Sequence, residues 1–238
     1  MRIITEVPKR VLCVFAHPDD ADIGAGGTIA RWSAAGAVIT LAVAARGDKG
    51  TLDPEMDPST LAELRAGELK SASVELGVAE VISLGLGDGE ITNGAQLRES
   101  LVGLIRRIRP DVVMTHDPSA IYFGSTYFNH RDHRELGFAV LDSVFPASHL
   151  PLYFPEAGPP HRVALVLLSG TMEATAAVEI TQSLGAKQAA VRSHRSQVGA
   201  RSAQVATSID STARALGRRV GLGAAEVFRE LRNEMGTR

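Results

Sequence analysis

The sequence predicts an α/β fold: a doubly wound, mostly parallel, Rossmann-like sheet with helices on both faces. Over the first two-thirds of the chain, short apolar runs alternate with segments whose apolar residues recur at helical spacing. Apolar runs of this kind are typical of parallel strands, because helices cover both faces of such a sheet. The β-α-β-α order therefore predicts parallel neighbours joined by right-handed crossovers.

The predicted elements follow one another at short intervals. Strands are predicted from the apolar runs at residues 11–15, 38–44, 81–84, 112–115 and 163–168. Helices are predicted over residues 26–35, 59–76, 96–108, 133–144, 182–194, 200–216 and 224–232. Ser59 is predicted to cap the second helix, and Gly36 and Gly77 lie just past the ends of the first two helices, where glycine is common.

Length and composition favour a single domain over residues 1–238, with a helical C-terminal part from about residue 182. Hydrophobic residues make up 45% of the chain, and the net charge of −2 argues against nucleic acid or an anionic membrane as a partner. The single cysteine, Cys13, excludes an intrachain disulfide. Residues 1–10 lack the apolar segment of a leader peptide, and no apolar run is long enough to span a bilayer, so we expect a cytoplasmic protein.

A histidine and two carboxylates follow the first predicted strand directly: His17, Asp19 and Asp20. In open α/β sheets ligands bind at the carboxyl ends of the strands, so this position favours a functional site. His17 and Asp20 are three residues apart and can converge on one metal ion. The glycines at positions 24, 26 and 27 do not fit G-x-G-x-x-G, and the carboxylates beside them would repel a pyrophosphate. A dinucleotide-binding turn is therefore not favoured.

A second cluster, N-H-R-D-H at residues 129–133, comes after the fourth predicted strand. His133 completes a His/Asp/His metal site with His17 and Asp20. Catalytic sites of this kind keep one position open for water. Asp19 is then free to act as the general base that takes a proton from that water.

The second cluster also holds His130 and Asp132. His130 suits a general acid or an oxyanion donor, and Asp132 is expected to fix its tautomer. The expected cofactor is Zn²⁺, although Fe²⁺ or another divalent metal fits the same ligand types.

Together the two clusters resemble the motifs of the LmbE/PIG-L family of zinc-dependent de-N-acetylases. The family's first motif, A-H-P-D-D-E followed by G-x-G-G-T, corresponds to residues 16–21 and 24–28. Its second motif, N-H-x-D-H-R, corresponds to residues 129–134. The resemblance implies the same metal ligands, base and acid as the chemistry of the residues suggests. Its main departure is Ala21, where the family usually has glutamate, which is not a metal ligand in the motif.

The resemblance implies further residues at the substrate. A third family pattern, K-x-x-A-x-x-x-H-x-S-Q, is close to residues 187–197 and implies that His194 and Gln197 return to the rim of the site. The family pairs an arginine with a glutamate on the helix before L-G-V. Arg65 is that arginine here, and it can alternatively face a substrate anion. Asp88 matches a family aspartate that faces sugar hydroxyls.

Loops at residues 47–58, 117–129 and 149–161 are expected to form the rim of the site, because loops after strands in such a sheet carry function. The first is rich in Gly, Asp and Pro, the second in aromatic residues and the third in Pro. Tyr127, in the second loop, is one of the residues expected to stack on a sugar ring.

The leading hypothesis is a metal-dependent hydrolase that removes the N-acetyl group from an N-acetylglucosamine-type sugar or its conjugate. Its partner is then a small amino sugar, and a homo-oligomer is compatible with the family. One alternative is a metal-dependent phosphoesterase, for which Asp22, Asp48 and Asp117 would supply the additional carboxylates of a two-metal site. The other is a non-catalytic sugar-binding protein of the same fold, which the presence of Asp19 argues against.

Overall fold

A computed structural model describes residues 1–233 of the chain. Its strands are β1 Arg2–Ile3, β2 Arg10–Phe15, β3 Val38–Ala45, β4 Glu80–Leu86, β5 Val112–His116, β6 Tyr122–Phe123, β7 Tyr127–Phe128, β8 Leu165–Ser169, β9 Ala176–Glu179 and β10 Ala225–Arg232. Its α-helices are α1 Asp20–Ala34, α2 Pro58–Leu76, α3 Ala95–Ile108, α4 Arg131–Asp142, α5 Leu184–Ser193, α6 Arg195–Val198 and α7 Ser202–Val220. Short non-α turns cover Ser143–Ala147, Pro155–Ala157 and Gly199–Arg201.

An eight-stranded sheet in the order β1-β9-β10-β8-β5-β2-β3-β4 organises the described residues. Strands β8, β5, β2, β3 and β4 run parallel to one another. Strand β10 runs antiparallel to both β8 and β9. The chain leaves β2 toward β3 on one side and later returns to β5 on the other. The carboxyl ends of β2 and β5 therefore form the topological switch point, where ligands bind in such sheets.

Helices cover both faces of the sheet, as the sequence predicted. On one face the inward side chains of β2, such as Val11 and Phe15, pack with α1, α2, α5 and α7. On the other face Leu12 and Val14 pack with α3 and α4. The alternation of side chains along β2 thus divides the core into two layers, and the prediction of a doubly wound, mostly parallel sheet is confirmed.

The last described segment is a strand where the sequence pattern predicts a helix. Residues 224–232 were expected to be helical, since their apolar residues recur at helical spacing, but they form strand β10. Main-chain hydrogen bonds to β8 on one side and β9 on the other stabilise the extended form, and this tertiary context overrides the local pattern. The helical C-terminal part therefore ends with α7 at Val220.

Smaller corrections concern helix starts and one loop. Asp57, and not Ser59, caps α2, because its carboxylate accepts the Thr60 N–H at 2.8 Å. The loop at 149–161 lies at the amino edge of the sheet, since Arg109, just before β5, donates to the Pro160 carbonyl. It therefore does not belong to the rim of the site. Within the described residues, no helix is both long and apolar enough to cross a membrane.

Candidate metal centre

Three side chains meet at the carboxyl ends of β2 and β5, as predicted. The Nε2 atom of His133 lies 3.2 Å from Oδ2 of Asp20 and 3.3 Å from Nδ1 of His17. That Asp20 oxygen is also 3.2 Å from Nδ1 of His17. A tetrahedral zinc ion with bonds of about 2.0–2.1 Å places its ligand atoms about 3.3–3.4 Å apart. The triangle of two nitrogens and one oxygen therefore fits a divalent metal ion.

In His17 and His133, the ring nitrogen that points away from the triangle (the outer nitrogen) is hydrogen-bonded to another side chain. This bond orients the ring so that its other nitrogen (the inner nitrogen) faces the triangle. His133 Nδ1 lies 3.0 Å from the side-chain oxygen of Asn129, to which it donates. His17 Nε2 lies 3.3 Å from Oδ2 of Asp132 and 3.2 Å from Oδ1 of Asp88. Metal-binding histidines commonly hold their outer N–H in this way. The inner nitrogens of both rings are therefore the ones placed to bind a metal ion, once His17 has given up the proton that the ion would replace.

Local geometry explains why the H-P-D-D segment folds into this arrangement. The turn from β2 into α1 is closed by the Asp20 N–H, which donates to the His17 carbonyl at 3.3 Å. The Asp20 carboxylate in turn accepts the His17 N–H at 2.7 Å. Local hydrogen bonds alone thus hold His17 and Asp20, two of the predicted ligands, next to each other.

Distant side chains hold the helix that carries Asp20. The Glu226 carboxylate, from β10, accepts the N–H groups of Gly27 and Thr28 at 2.9 and 2.7 Å. Lys187, from α5, donates to the Ile23 carbonyl at 2.6 Å and to Glu226 at 2.5 Å. Both charged residues are buried. The lysine of the third sequence pattern is therefore part of the support of α1 and lies away from the rim.

The electrostatics of the triangle favour a cation. Burial lowers the pKa of His17, but its hydrogen bonds with Asp132, Asp20 and Asp88 prevail and raise that pKa to about 12. Burial likewise raises the pKa of Asp20, yet its hydrogen bonds with His133 and His17 hold that pKa well below its usual value. Three carboxylates thus converge on one imidazole, and a positive charge is stabilised there whether a proton or a metal ion supplies it.

Asp19 directly precedes the ligand Asp20 in the chain, and its carboxylate is bound by a residue outside the triangle. Its Oδ1 atom accepts from Nη2 of Arg65 at 2.8 Å. Arg65 is buried, and its other terminal nitrogen donates to the Gly47 carbonyl at 3.1 Å. Both terminal nitrogens of Arg65 thus have partners within the protein, and the alternative that Arg65 faces a substrate anion stays a prediction. Glu68, the glutamate that the family pattern pairs with this arginine, instead accepts hydrogen bonds from Ser196.

His130 occupies the opposite side of the cluster. Its Nδ1 accepts the backbone N–H of Asp132 at 3.1 Å, so its Nε2 carries the proton of the neutral ring. Burial, followed by the charge of His17, lowers the pKa of His130. The Asp132 carboxylate lies 4.0 Å from His130 and closer to His17, and it also accepts the Gly89 N–H at 2.7 Å. The backbone of Asp132, and not its carboxylate, therefore fixes the tautomer of His130.

His116, at the end of β5, completes the site. Its ring stacks on that of His133 with centroids 4.0 Å apart, and its Nε2 accepts the Ala16 N–H at 3.0 Å. Burial lowers the pKa of His116 to about 4, so the ring is neutral. Its position after an apolar strand was the one available indication of this packing role. The role of Asn129 was missed, although the residue lies inside the second motif.

A pocket of about 160 Å³ opens beside the triangle. Phe123 and Tyr127 line it, together with Asp20, His116 and His133. The two aromatic residues belong to the hairpin formed by β6 and β7, which is a regular element within the predicted aromatic loop. Tyr127 is 56% exposed, so its ring is available to a ligand.

The structure does not bring the remaining predicted substrate residues to this pocket. His194 is fully buried, and its Nε2 is 2.5 Å from Oδ2 of Asp22. Its expected place at the rim is therefore wrong. Gln197 donates to the Gly50 carbonyl at 3.2 Å, in the loop beside Arg65. Asp88 is buried and directed toward His17, so a contact with sugar hydroxyls has no support in the geometry.

The carboxylates that a two-metal phosphoesterase needs also lie elsewhere. Asp22 is bound to His194, and Asp48 accepts the Asp88 N–H. Asp117 accepts from Ser119. None of the three belongs to the His/carboxylate groups that the described residues form around a common point.

Comparison with known proteins gives a consistent result. The family model for PIG-L, GlcNAc-PI de-N-acetylase, matches residues 12–144. A diacetylchitobiose deacetylase from Thermococcus kodakarensis is 35% identical over 193 residues, covering 79% of this chain and 70% of that protein. A 1D-myo-inositol 2-acetamido-2-deoxy-alpha-D-glucopyranoside deacetylase from Streptomyces avermitilis is 33% identical over 185 residues, with coverage of 66% and 60%. The chain thus spans less than two thirds of the latter protein.

Solved structures agree with this. N,N'-diacetylchitobiose deacetylase from Pyrococcus horikoshii, solved with an inhibitor, superposes with a TM-score of 0.86 at 29% identity, covering 94% of this chain and 84% of that one. GalB, the 4-carboxy-2-hydroxymuconate hydratase from Pseudomonas putida KT2440, reaches a TM-score of 0.78 at 19% identity, over 97% and 99% of the two chains, which shows a shared fold alone. Because the family model covers more than half of the chain, and a relative at 35% identity covers most of it, this protein belongs to the PIG-L family of de-N-acetylases.

Proposed function

We propose that this protein is a metal-dependent hydrolase that removes the N-acetyl group from an N-acetylglucosamine-type sugar or its conjugate. The observation that carries the proposal is the triangle of His17, Asp20 and His133 with Asp19 directly beside it. The names of the relatives support the reaction class, since they are deacetylases of acetylated amino sugars.

Zn²⁺ is the proposed ion, held by His17, Asp20 and His133, and Fe²⁺ is the alternative that the same ligand types admit. When bound, the ion would lower the pKa of a water molecule to about 7 and would polarise an amide carbonyl.

Asp19 acts as the proton acceptor in the proposed mechanism. Its Oδ1 atom is bound to Arg65, and in this proposal the second carboxylate oxygen takes the proton of the attacking water. Arg65 fixes the orientation of this carboxylate, which is what a general base requires before its pKa matters. Once protonated, Asp19 can pass the same proton to the departing amine.

His130 stabilises the oxyanion in this proposal. Its lowered pKa and its Nδ1 bond leave a neutral ring with an Nε2–H donor. A preorganised donor of this kind aims at the charge that develops on the carbonyl oxygen. Because the ring is neutral, the proton for the amine comes from Asp19 and not from His130.

The acetylated sugar is proposed to enter through the aromatic hairpin. Tyr127 and Phe123 line the pocket beside the triangle, and an aromatic ring packs well against the C–H face of a pyranose. A homo-oligomeric state and a cytoplasmic location stay predictions from the sequence.

Acetate release tests the proposal. The zinc-loaded protein is incubated with N-acetylglucosamine, N,N'-diacetylchitobiose and an N-acetylglucosaminyl inositol, and acetate is measured enzymatically. Release from at least one substrate, abolished by a chelator and restored by Zn²⁺, is the expected result. Hydrolysis of phosphate esters by the same preparation, without acetate release, would overturn the proposal in favour of a phosphoesterase.

A further inference from the structure

A short segment between α5 and α6 contacts each part of the protein that holds Asp19. It consists of His194, the last residue before α6, and the first residues of that helix. We call residues 194–197 the α5–α6 junction. None of them lines the pocket beside the triangle, so a role of this segment has to be sought in its contacts within the protein.

The first contact of the α5–α6 junction is with the start of α1. His194 Nε2 lies 2.5 Å from Oδ2 of Asp22, and both side chains are buried. Asp22 belongs to the first turn of α1, which begins directly after Asp19. That turn is closed by the Ile23 N–H, which donates to the Asp19 carbonyl at 3.1 Å. A displacement of Asp22 would therefore move the backbone that carries Asp19.

The second contact is with α2. The Glu68 carboxylate accepts the backbone N–H of Ser196 at 2.7 Å and its hydroxyl at 2.6 Å. Glu68 follows Arg65 by three residues on α2, so the two side chains lie on the same side of that helix. Arg65 donates to Oδ1 of Asp19 at 2.8 Å. The α5–α6 junction thus anchors the side of α2 from which the Asp19 carboxylate is bound.

The third contact is with the loop that follows β3. The Gln197 side chain donates to the Gly50 carbonyl at 3.2 Å. In the same turn the Gly50 N–H donates to the Gly47 carbonyl at 3.4 Å, and this carbonyl also accepts from Arg65 at 3.1 Å. A Cβ atom built at either glycine would clash with Nη1 of Arg65. The bare backbone of this turn therefore encloses the guanidinium that binds Asp19.

We propose that the α5–α6 junction positions the Asp19 carboxylate for proton transfer. His194, Ser196 and Gln197 are its positioning residues. The inference rests on the proposed function, since Asp19 is taken to be the general base. The three contacts reach one carboxylate by separate routes: the backbone of α1, the helix that carries Arg65, and the loop that Arg65 binds. Orientation matters for a general base, because a misplacement of about 1 Å can lower a rate about 10²-fold.

The metal ligands depend less on the α5–α6 junction than Asp19 does. Asp20 accepts the His17 N–H at 2.7 Å, a bond within the turn that carries both ligands. His133 belongs to α4, which packs on the opposite face of the sheet from α5. Loss of the contacts made by the junction is therefore expected to lower turnover while zinc stays bound.

Substitutions in the α5–α6 junction test the proposal. His194→Leu removes the donor to α1, whereas His194→Gln keeps an N–H donor on a side chain of similar length. Gln197→Ala, at a partly exposed position, removes the loop contact without opening the core. His161→Leu is the matched control, because His161 Nε2 makes a single hydrogen bond of 2.8 Å, to the Pro110 carbonyl at the amino edge. Zinc content is measured by mass spectrometry, and kcat by acetate release.

We expect His194→Leu to lower kcat about tenfold to hundredfold with unchanged zinc content, and Gln197→Ala to lower it about threefold. His194→Gln should recover most of the loss, and His161→Leu should keep the wild-type kcat. In the Asp19→Asn background, His194→Leu should have no further effect, because both changes act on one proton transfer. An equal further loss in that background, or a loss of zinc that parallels kcat, would overturn the proposal.

Hydrogen exchange at the Arg65 guanidinium gives a readout that needs no turnover. Its signals in ¹⁵N NMR spectra are assigned with Arg65→Lys. We expect exchange with water to be about tenfold faster in His194→Leu and in Gln197→Ala than in the wild-type protein, because the contacts that enclose the guanidinium are loosened. His161→Leu should leave the exchange unchanged.

The two readouts separate this inference from the proposed function. Faster exchange in the junction variants, without acetate release from any sugar by the wild-type protein, would overturn the deacetylase and leave the positioning of Asp19 standing. Acetate release by the wild-type protein, with exchange at Arg65 and kcat both unaffected by Gln197→Ala and His194→Leu, would overturn the junction and leave the deacetylase standing. Should His194→Leu fail to fold, Gln197→Ala decides alone.

Discussion

The two edges of the central sheet both bury charge, but they neutralise it in different ways. At the carboxyl edge, His17, Asp20 and His133 face one another, and their inner atoms lie within 3.3 Å of each other. At the amino edge, the Arg106 guanidinium is buried and donates to backbone carbonyls of the segment that follows α4: those of Ala147, Ser148, Leu150, Tyr153, Phe154 and Gly158. No carboxylate in the described part of the chain lies within ion-pair distance of it.

The difference separates architecture from chemistry. Carbonyl oxygens cannot change their protonation state, so the contacts of Arg106 fix a loop and do nothing else. The side chains at the opposite edge can exchange protons, and their inner atoms form a triangle that fits a divalent metal ion. Buried charge alone thus does not indicate a functional site. Several titratable side chains that face one common point do indicate one.

The largest expected effect comes from removing a metal ligand. Asp20→Asn should lower bound zinc to background and reduce deacetylation by about 10³-fold, because both the ligand and the charge that attracts the cation are lost. Metal content by mass spectrometry and acetate release measure the two effects. Retention of stoichiometric zinc would contradict the assignment of Asp20.

Loss of the proposed base should separate metal binding from turnover. Asp19→Asn keeps the three ligands, so zinc content should be unchanged while kcat falls about 10²–10⁴-fold. Single-turnover rates with a saturating substrate make the comparison. A kcat within threefold of wild type would show that another group accepts the proton.

Arg106→Met tests the opposite edge. The change leaves buried carbonyls without donors, and we expect a loss of about 3 kcal/mol in the free energy of unfolding, measured with urea. Zinc content and kcat of the folded fraction should stay at the wild-type level. A change in metal affinity would mean that the two edges are coupled.

The smallest expected effect concerns the aromatic rim. Tyr127→Ala should raise KM about threefold to tenfold with little change in kcat, because a stacking contact of about 1 kcal/mol is removed without disturbing the ligands. Tyr153→Ala, a comparably exposed tyrosine at the amino edge, is the matched control and should leave KM unchanged. Equal effects of the two substitutions would argue against sugar binding at the hairpin.

The sequence was most informative for residues that are close to one another in the chain or that directly follow a predicted strand. His17 and Asp20 share one turn, and His133 follows β5 at the edge where parallel strands end together. These residues could be placed without knowing how helices pack. The architecture followed from the apolar periodicity in the same way.

Contacts that depend on packing between remote segments could not be predicted. The carboxylate of Asp132 binds His17 across 115 residues, and His194 binds Asp22 across 172. Local spacing linked Asp132 to His130 instead, and motif position put His194 at the rim. Strand β10 was missed for a related reason, since its hydrogen-bond partners, β8 and β9, precede it by tens of residues.

The tie between Glu226 and the N–H groups of Gly27 and Thr28 has a consequence for biosynthesis. The helix that carries Asp20 is among the first elements to leave the ribosome, yet the carboxylate that binds its backbone is translated almost 200 residues later. Until residue 226 has emerged, Lys187 lies without its counter-ion. We therefore expect nascent chains halted before that point to be poor metal binders.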